Sequence, residues 1–158
     1  MIKNIPFNKP FRTGQEIKYI RKSIGNGHIS GRGPFTKKAE NLLKKQLLIS
    51  NDILLTTSCT HALEISSILM NFKPGDEVIV PSFTFVTTAL AFYMHGAKII
   101  LADIREDTLN IDPKKIEAAI TNKTRAIMPV HLTGRVADME AIQKIATKYN
   151  LSVVFAEK

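Results

Sequence analysis

The stretch ILLTTSCTHAL, residues 53–63, decides how this chain folds. An apolar run passes through small hydroxylated residues into a helical pattern, which predicts a strand that turns directly into a helix. The first backbone N–H groups of such a helix, together with its dipole, favour an anion. Ser58 and Thr60 would add hydroxyl donors. The stretch predicts a phosphate site at the carboxyl end of a strand. The alternative is a plain structural turn whose hydroxyls only cap the helix.

Beyond residue 52, short apolar runs alternate with amphipathic segments. Strands are expected at 53–56, 77–80, 98–103, 125–130 and 151–155, and helices at 61–70, 85–95, 113–120 and 138–149. Most of these strands are continuous apolar runs, which is typical of parallel strands covered on both faces. The sequence therefore predicts an α/β fold of three layers, a mostly parallel sheet with helices on both faces.

Residues 1–50 follow a different pattern and are expected to form a separate amino-terminal part, with residues 51–158 as the second part. Pro6 and Pro10 argue for an extended start over residues 1–12. Helical periodicity then covers Gln15 to Lys22 and Thr36 to Leu48. Between these helices, residues 25–34 contain four glycines and a proline, which indicates a loop. From the residues alone, this loop is either a linker or a functional segment.

Composition narrows the class of protein. The chain has 158 residues, of which 44% are hydrophobic and 23% charged, and this balance is typical of a globular domain. The net charge is +8, but the basic residues are spread along the chain, so we expect no nucleic-acid partner. A single cysteine, Cys59, suits a reducing compartment and predicts a cytoplasmic protein. No apolar window is long enough for a membrane span.

Four segments follow predicted strands, and in a parallel sheet ligands bind beyond the carboxyl ends of the strands. These segments are residues 58–61, 81–85, 103–105 and 129–134. Together they supply a phosphate cup, an aromatic pair, an acid and a histidine. The sequence contains no G-x-G-x-x-G or P-loop fingerprint, and no cysteine–histidine cluster with metal spacing.

Several motifs in one order resemble the DegT/DnrJ/EryC1/StrS sugar aminotransferases. They are TSCTHALE at 57–64, PGDEV at 74–78, PSFTF at 81–85 and PVHLTG at 129–134. The resemblance implies the fold type I aminotransferase and the cofactor pyridoxal 5′-phosphate. It also implies a homodimer with shared active sites, acting on a keto nucleotide sugar with an amino donor such as glutamate.

The resemblance also implies roles for individual residues. Thr60 and His61 would hold the cofactor phosphate through backbone N–H groups and the Thr60 hydroxyl, while Ser58 and Cys59 would shape the turn. The glycine-rich loop at 25–34 would reach the active-site region. Cys59 is not expected to be a nucleophile, because no base is placed beside it.

Two further residues acquire roles in the same way. Phe85 would stack on the pyridine ring of the cofactor. From the sequence alone, ordinary core packing at a helix start is the competing interpretation. His131 resembles the histidine that lies beside the cofactor in the family, whereas alone it would indicate a structural histidine.

The end of the sequence departs from the family pattern. Members of the family continue the last strand into Glu-Asp-Ala-Ala-Gln, where the aspartate pairs with the pyridinium nitrogen. Here Ala156 takes the place of that aspartate, and Glu157 is one residue away, on the other face of a strand. The Schiff-base lysine has no counterpart, because Lys158 comes too early.

We therefore expect an amino-terminal fragment, truncated before the catalytic lysine, with no catalytic residue of its own and no turnover alone. One alternative is a non-catalytic pseudo-subunit that docks on an intact paralogue. Another is an α/β module that binds phosphate sugars without catalysis.

Overall fold

The computed structural model describes residue 6 and residues 8–157. Ile5 and Phe7, part of the predicted extended start, and Lys158 lie outside the described residues. The chain divides into two compact units, residues 1–55 and 56–158. Each unit is a separate body here, and its elements are given below.

Helices and strands alternate from residue 59 onward. The helices are α1 (Glu16–Gly25), α2 (Pro34–Leu47), α3 (Cys59–Met70), α4 (Thr87–Tyr93), α5 (Pro113–Ala119) and α6 (Met139–Tyr149). The strands are β1 (Glu77–Pro81), β2 (Lys98–Ala102), β3 (Thr124–Ile127), β4 (Val130–His131), β5 (Ser152–Val153) and β6 (Ala156–Glu157). A single 3₁₀ turn, Leu132–Gly134, follows β4.

The first unit contains the two predicted helices, α1 and α2. Pro34 occupies the first turn of α2, where its missing N–H costs nothing, and Gly33 precedes it in an extended conformation. A side chain at Gly33 would meet the His28 ring at 2.9 Å, so the glycine is required for this close approach. Edge-to-face contact of Tyr19 with Phe35, with ring centroids 5.4 Å apart, joins the two helices.

The second unit is built on a parallel sheet, as the sequence predicts. The strand order is β2-β1-β3-β5, and every pairing is parallel. β4 and β6 form a further parallel pair, with Val130 opposite Ala156. The single strand predicted over 125–130 is divided between β3 and β4, because Pro129 has no N–H to donate to the ladder. The strand predicted over 151–155 divides likewise into β5 and β6.

Helices cover both faces of this sheet, which confirms the three layers. On one face, Val78 and Val80 of β1 pack with Leu63 of α3 and Phe92 of α4. On the other face, Ile79 packs in a cluster that holds Ile116 of α5 and Ile142 of α6. Alternate residues of a strand point to opposite faces, so a continuous apolar run fills both clusters.

The strand predicted at Ile53–Thr56 is not formed. The segment has no ladder partner among the described strands, and Leu54 and Leu55 are exposed. An apolar run favours an extended segment, but a strand also needs a neighbour that supplies hydrogen bonds. The turn into α3 is nevertheless present.

Candidate functional site

The turn before α3 has the geometry expected of an anion site. Ser58 is extended, at φ −160° and ψ 162°, and its Oγ accepts a hydrogen bond from the His61 N–H at 3.2 Å. Its carbonyl accepts the Ala62 N–H at 3.2 Å. Within the described residues, the N–H groups of Cys59 and Thr60 have no hydrogen-bond acceptor. Ser58 is thus a helix cap, and two further donors remain at the start of the helix.

The hydroxyls around this turn hold its shape. Thr56 Oγ1 donates to the Ser58 carbonyl at 2.8 Å, and the Thr57 hydroxyl contacts His61 Nδ1. Ser58 and His61 themselves are exposed. The turn is therefore held by hydrogen bonds of its own side chains, and its outer surface is exposed to solvent.

The Thr60 hydroxyl has a partner within the protein. Thr60 is half-buried, and its Oγ1 donates to Thr87 Oγ1 at 3.4 Å, a long hydrogen bond. Its hydrogen would have to turn away from Thr87 to reach a phosphate. In this structure the hydroxyl links the starts of α3 and α4, and a role of this hydroxyl in binding a phosphate stays a prediction.

These donors fit a phosphate group. A phosphate monoester carries a negative charge and only acceptor oxygens at its periphery, so it needs N–H or O–H donors in a positive field. Two backbone N–H groups and the positive end of a twelve-residue helix provide them. The residues present are consistent with the phosphate of pyridoxal 5′-phosphate.

Phe85 lies in the loop between β1 and α4 and is 63% exposed. It is therefore not buried in the core of the described residues. The hydroxyls of Thr84 and Thr88, which flank Phe85 in the sequence, are hydrogen-bonded to each other at 2.9 Å. Because Thr87 also contacts Thr60, Phe85 is two residues from a direct contact with the α3 turn. Its exposed ring can cover a flat ligand.

His131 ends β4, beside the end of β6, and its ring has defined surroundings. Its Nδ1 accepts the Ala137 N–H at 3.2 Å, so the proton of the neutral ring is on Nε2. The Phe155 ring lies 5.3 Å away at 31°. In the described part of the chain, no hydrogen bond joins His131 to the α3 turn.

An acidic group lies at the same edge of the sheet. Asp103 follows β2, and its Oδ1 accepts the Ile104 N–H at 2.8 Å and the Ser82 hydroxyl at 3.1 Å. These two hydrogen bonds, that of Ile104 first, lower the pKa of Asp103. The carboxylate is therefore ionised at neutral pH and joins the loops that follow β1 and β2.

The end of the described chain follows the alternation expected from the sequence. Ala156 is buried and paired with Val130, whereas Glu157 is exposed opposite His131. Adjacent residues of a strand point to opposite faces, so the Glu157 carboxylate is not on the face where Ala156 is buried.

The structure thus links two of the predicted segments and places the third elsewhere. Thr60 of the α3 turn contacts Thr87, two residues from Phe85 in the sequence, whereas His131 lies in β4, which pairs with β6 outside the four-stranded sheet. Sequence reasoning missed Thr87 and Asn110. Asn110 is buried and hydrogen-bonded to the turn after His131. Its only signal is a polar residue between two apolar ones.

A model of the DegT/DnrJ/EryC1/StrS aminotransferase family matches residues 11–156. The chain belongs to this family. It is 36% identical over 150 residues to the spore coat polysaccharide biosynthesis protein SpsC of Bacillus subtilis, covering 95% of this chain and 38% of SpsC. It is 37% identical over 145 residues to GDP-perosamine synthase of Caulobacter vibrioides, covering 92% of this chain and 39% of that protein.

A solved structure of a family relative has the same fold. NtdA from Bacillus subtilis, with bound cofactor PMP, superimposes with a TM-score of 0.84 and is 35% identical, covering 90% of this chain and 32% of its own. The chain spans about two fifths of the length of the curated relatives that it matches. Among the described residues, no helix is long and apolar enough to cross a membrane, and no group of three potential ligands could hold a metal ion.

Proposed function

We propose that this chain provides the phosphate-binding part of a pyridoxal-phosphate-dependent sugar aminotransferase. The observation that carries the proposal is the start of α3, where two N–H groups that have no acceptor among the described residues lie in an exposed turn. A relative of the same fold holds the cofactor PMP, which supports the choice of ligand.

Each residue would act through the group it presents. Cys59 and Thr60 would bind the phosphate through their N–H groups, and Ser58 would keep the helix start in place. Phe85 would cover one face of the pyridine ring and exclude water from it. His131 would offer its Nε2–H beside the cofactor. When bound, the cofactor supplies the chemistry that stores an amino group and releases it to an acceptor.

We propose a keto nucleotide sugar as the amino acceptor and an amino acid such as glutamate as the donor. The name of GDP-perosamine synthase supports a nucleotide sugar, and the name of SpsC supports a pathway to a surface polysaccharide. Residues 5–10 and 96–112 resemble the transaminase that forms dTDP-4-amino-4,6-dideoxygalactose, so a 4-keto sugar is the specific prediction. A cytoplasmic location is part of the same proposal.

A homodimer belongs to this proposal as well. An apolar groove between α4 and β2 supports a protein partner, since its lining is largely exposed in the single chain. The lining residues are Val86, Ala89, Leu90, Tyr93, Ile99 and Leu101.

The phosphate site can be tested by comparing the binding of pyridoxamine 5′-phosphate with that of pyridoxamine by calorimetry. Neither compound has an aldehyde, so surface lysines cannot capture them. Cys59→Pro removes one N–H at the first helical position, which proline tolerates after an extended residue. Loss of one charge-assisted hydrogen bond, worth roughly 1.5 kcal/mol or more, should weaken phosphate binding by about tenfold.

The variant Cys59→Ala keeps the N–H and separates its loss from that of the thiol. We expect Cys59→Ala to retain most of the affinity and Cys59→Pro to lose it. Equal affinity for the two pyridoxamines in the unmodified chain, or equal losses in the two variants, would overturn the proposed phosphate site.

A further inference from the structure

Asn110 has a buried side chain, and both the nitrogen and the oxygen of its amide make hydrogen bonds. It is 3% exposed. Its Nδ2 donates to the Arg135 carbonyl at 2.9 Å, and its Oδ1 accepts the Leu132 N–H at 3.1 Å. The amide thus spans the two ends of the turn that follows His131.

The loop that carries Asn110 is itself held in place. The Arg105 N–H donates to the Asn110 carbonyl at 2.9 Å, and Ile104 pairs with Ile111 in an antiparallel bridge. A second link joins this loop to the turn, because the Arg135 guanidinium donates to the Asp107 carbonyl at 2.9 Å. Asn110 therefore connects a fixed loop to the turn at residues 132–135.

The conformation of that turn determines what reaches His131. Thr133 has a φ of 53°, in the left-handed region, so the turn is not a conformation the chain adopts without support. The turn reverses the chain and brings the Ala137 N–H to within 3.2 Å of His131 Nδ1. This bond occupies Nδ1 and leaves Nε2–H as the donor.

We propose that Asn110 is a positioning residue for His131. By holding the turn at Leu132 and Arg135, its amide keeps the Ala137 N–H on Nδ1 and so fixes both the orientation and the tautomer of the ring. The importance of this arrangement for catalysis rests on the proposed function, in which His131 lies beside the cofactor. The positioning of His131 by Asn110 does not depend on that function.

The tautomer can be read directly from the imidazole nitrogen shifts of the chain labelled with ¹⁵N-histidine, recorded without cofactor at alkaline pH to observe the neutral ring. His131 is assigned with His131→Gln. We compare the unmodified chain with Asn110→Ala and Asn110→Ser. Asn122→Ala serves as the control, because Asn122 is exposed.

The unmodified chain and Asn122→Ala should show His131 only as the Nε2–H tautomer. In Asn110→Ala and Asn110→Ser, both tautomers should be present, because the Ala137 N–H is no longer held on Nδ1. A role of Asn110 in stability alone would leave the tautomer unchanged. A folded Asn110 variant with only the Nε2–H tautomer, or an unmodified chain with the Nδ1–H form, would overturn the proposal.

Hydrogen exchange in the unmodified chain provides a test that needs no variant. The amides of Leu132 and Ala137 should both be protected and should exchange at similar rates, since one cooperative turn holds them. Free exchange at Ala137 with protection at Leu132 would refute the coupling. Neither measurement uses the cofactor, so a failure to bind pyridoxamine 5′-phosphate would refute the proposed function and leave these results standing.

Discussion

At the scale of single residues, polar side chains hold the turns of the candidate site in place. Asn110 and Ser58 satisfy backbone groups that would otherwise lack partners. Ser67 is an exception, since it is completely buried and its Oγ has no hydrogen-bond partner within the described residues. Burying a hydroxyl without a hydrogen-bond partner costs desolvation free energy that no hydrogen bond offsets.

We predict that Ser67→Ala leaves the free energy of unfolding unchanged or raises it by up to about 1 kcal/mol, because the variant removes an unsatisfied hydroxyl and favours the helix. The matched control is the neighbouring Ser66→Ala, which removes a hydrogen bond to the Ala62 carbonyl. Urea unfolding of both variants provides the measurement. A loss of more than about 1 kcal/mol in Ser67→Ala would contradict this assignment.

The residues of the candidate site could be predicted only in part. The hydroxylated turn at 57–61 identifies a helix start, because caps and first-turn N–H groups are local features. The partner of the Thr60 hydroxyl and the buried position of Asn110 depend on α4 and on the turn at 132–135. Those contacts are distant in the sequence, so no local pattern reveals them.

At the scale of elements, local signals place the helices and fail for one strand. Asp112 and Asp138 directly precede α5 and α6, and each accepts a first-turn N–H, from Lys114 and Ala141. By contrast, Ile53–Thr56 has a strand-like composition and no ladder partner among the described strands. A cap is complete within four residues, whereas a strand depends on a neighbour elsewhere in the chain.

The amino ends of the central strands are joined by one buried carboxylate. Glu77 begins β1 and accepts hydrogen bonds from Thr121 Oγ1 at 2.5 Å and from Lys98 Nζ at 3.1 Å. Lys98 begins β2, and Thr121 precedes β3. The Thr121 bond first, and then the Lys98 bond, lower the pKa of Glu77 from its ordinary value of 4.5.

This lowered pKa predicts a contribution to acid unfolding. A carboxyl group whose pKa is lower when folded stabilises the protein above its unfolded pKa, and the stabilisation is lost as the pH falls through the folded pKa. The contribution of Glu77 should therefore be complete above about pH 4.5 and be lost progressively as the pH falls from there through the lower pKa of the folded state. Glu77→Gln should be less stable at neutral pH and lose less stability on acidification.

Urea unfolding at several pH values between about 7 and 3 measures both effects. The control is Glu106→Gln, which also removes one negative charge, but from an exposed side chain that has no ion pair in the described part of the chain. An acid dependence in Glu77→Gln as steep as in the unmodified chain would refute the role of this carboxylate.

At the scale of the whole molecule, residues 56–158 form a three-layer unit in which apolar surface remains uncovered. Tyr93 and Leu101 are 66% and 63% exposed on the groove between α4 and β2. Exposed apolar patches mark contacts with a protein, a membrane or a ligand, and we propose a protein here. The alternation of strands and helices predicts the layers, but the surface that a partner covers cannot be recognised from a hydrophobic pattern, because core and interface residues have the same composition.

If this groove is the contact of a homodimer, Tyr93→Asp should shift the chain toward the monomer, because it places a charge in an apolar interface. Sedimentation velocity over a range of concentrations measures the change. Val136→Asp is the control, since Val136 is 67% exposed and does not line the groove. An unmodified chain that stays monomeric at all concentrations, or equal behaviour of both variants, would count against the homodimer.

The whole functional proposal depends on the proposed phosphate site at the start of α3, and backbone amide shifts can test it. Pyridoxamine 5′-phosphate is added to the ¹⁵N-labelled chain, and amide spectra are compared with those after adding pyridoxamine. We predict that the Cys59 and Thr60 amides show the largest shifts and that these shifts occur only with the phosphorylated compound. Unchanged Cys59 and Thr60 amides under saturating ligand, or the same shifts with pyridoxamine, would contradict the proposed site.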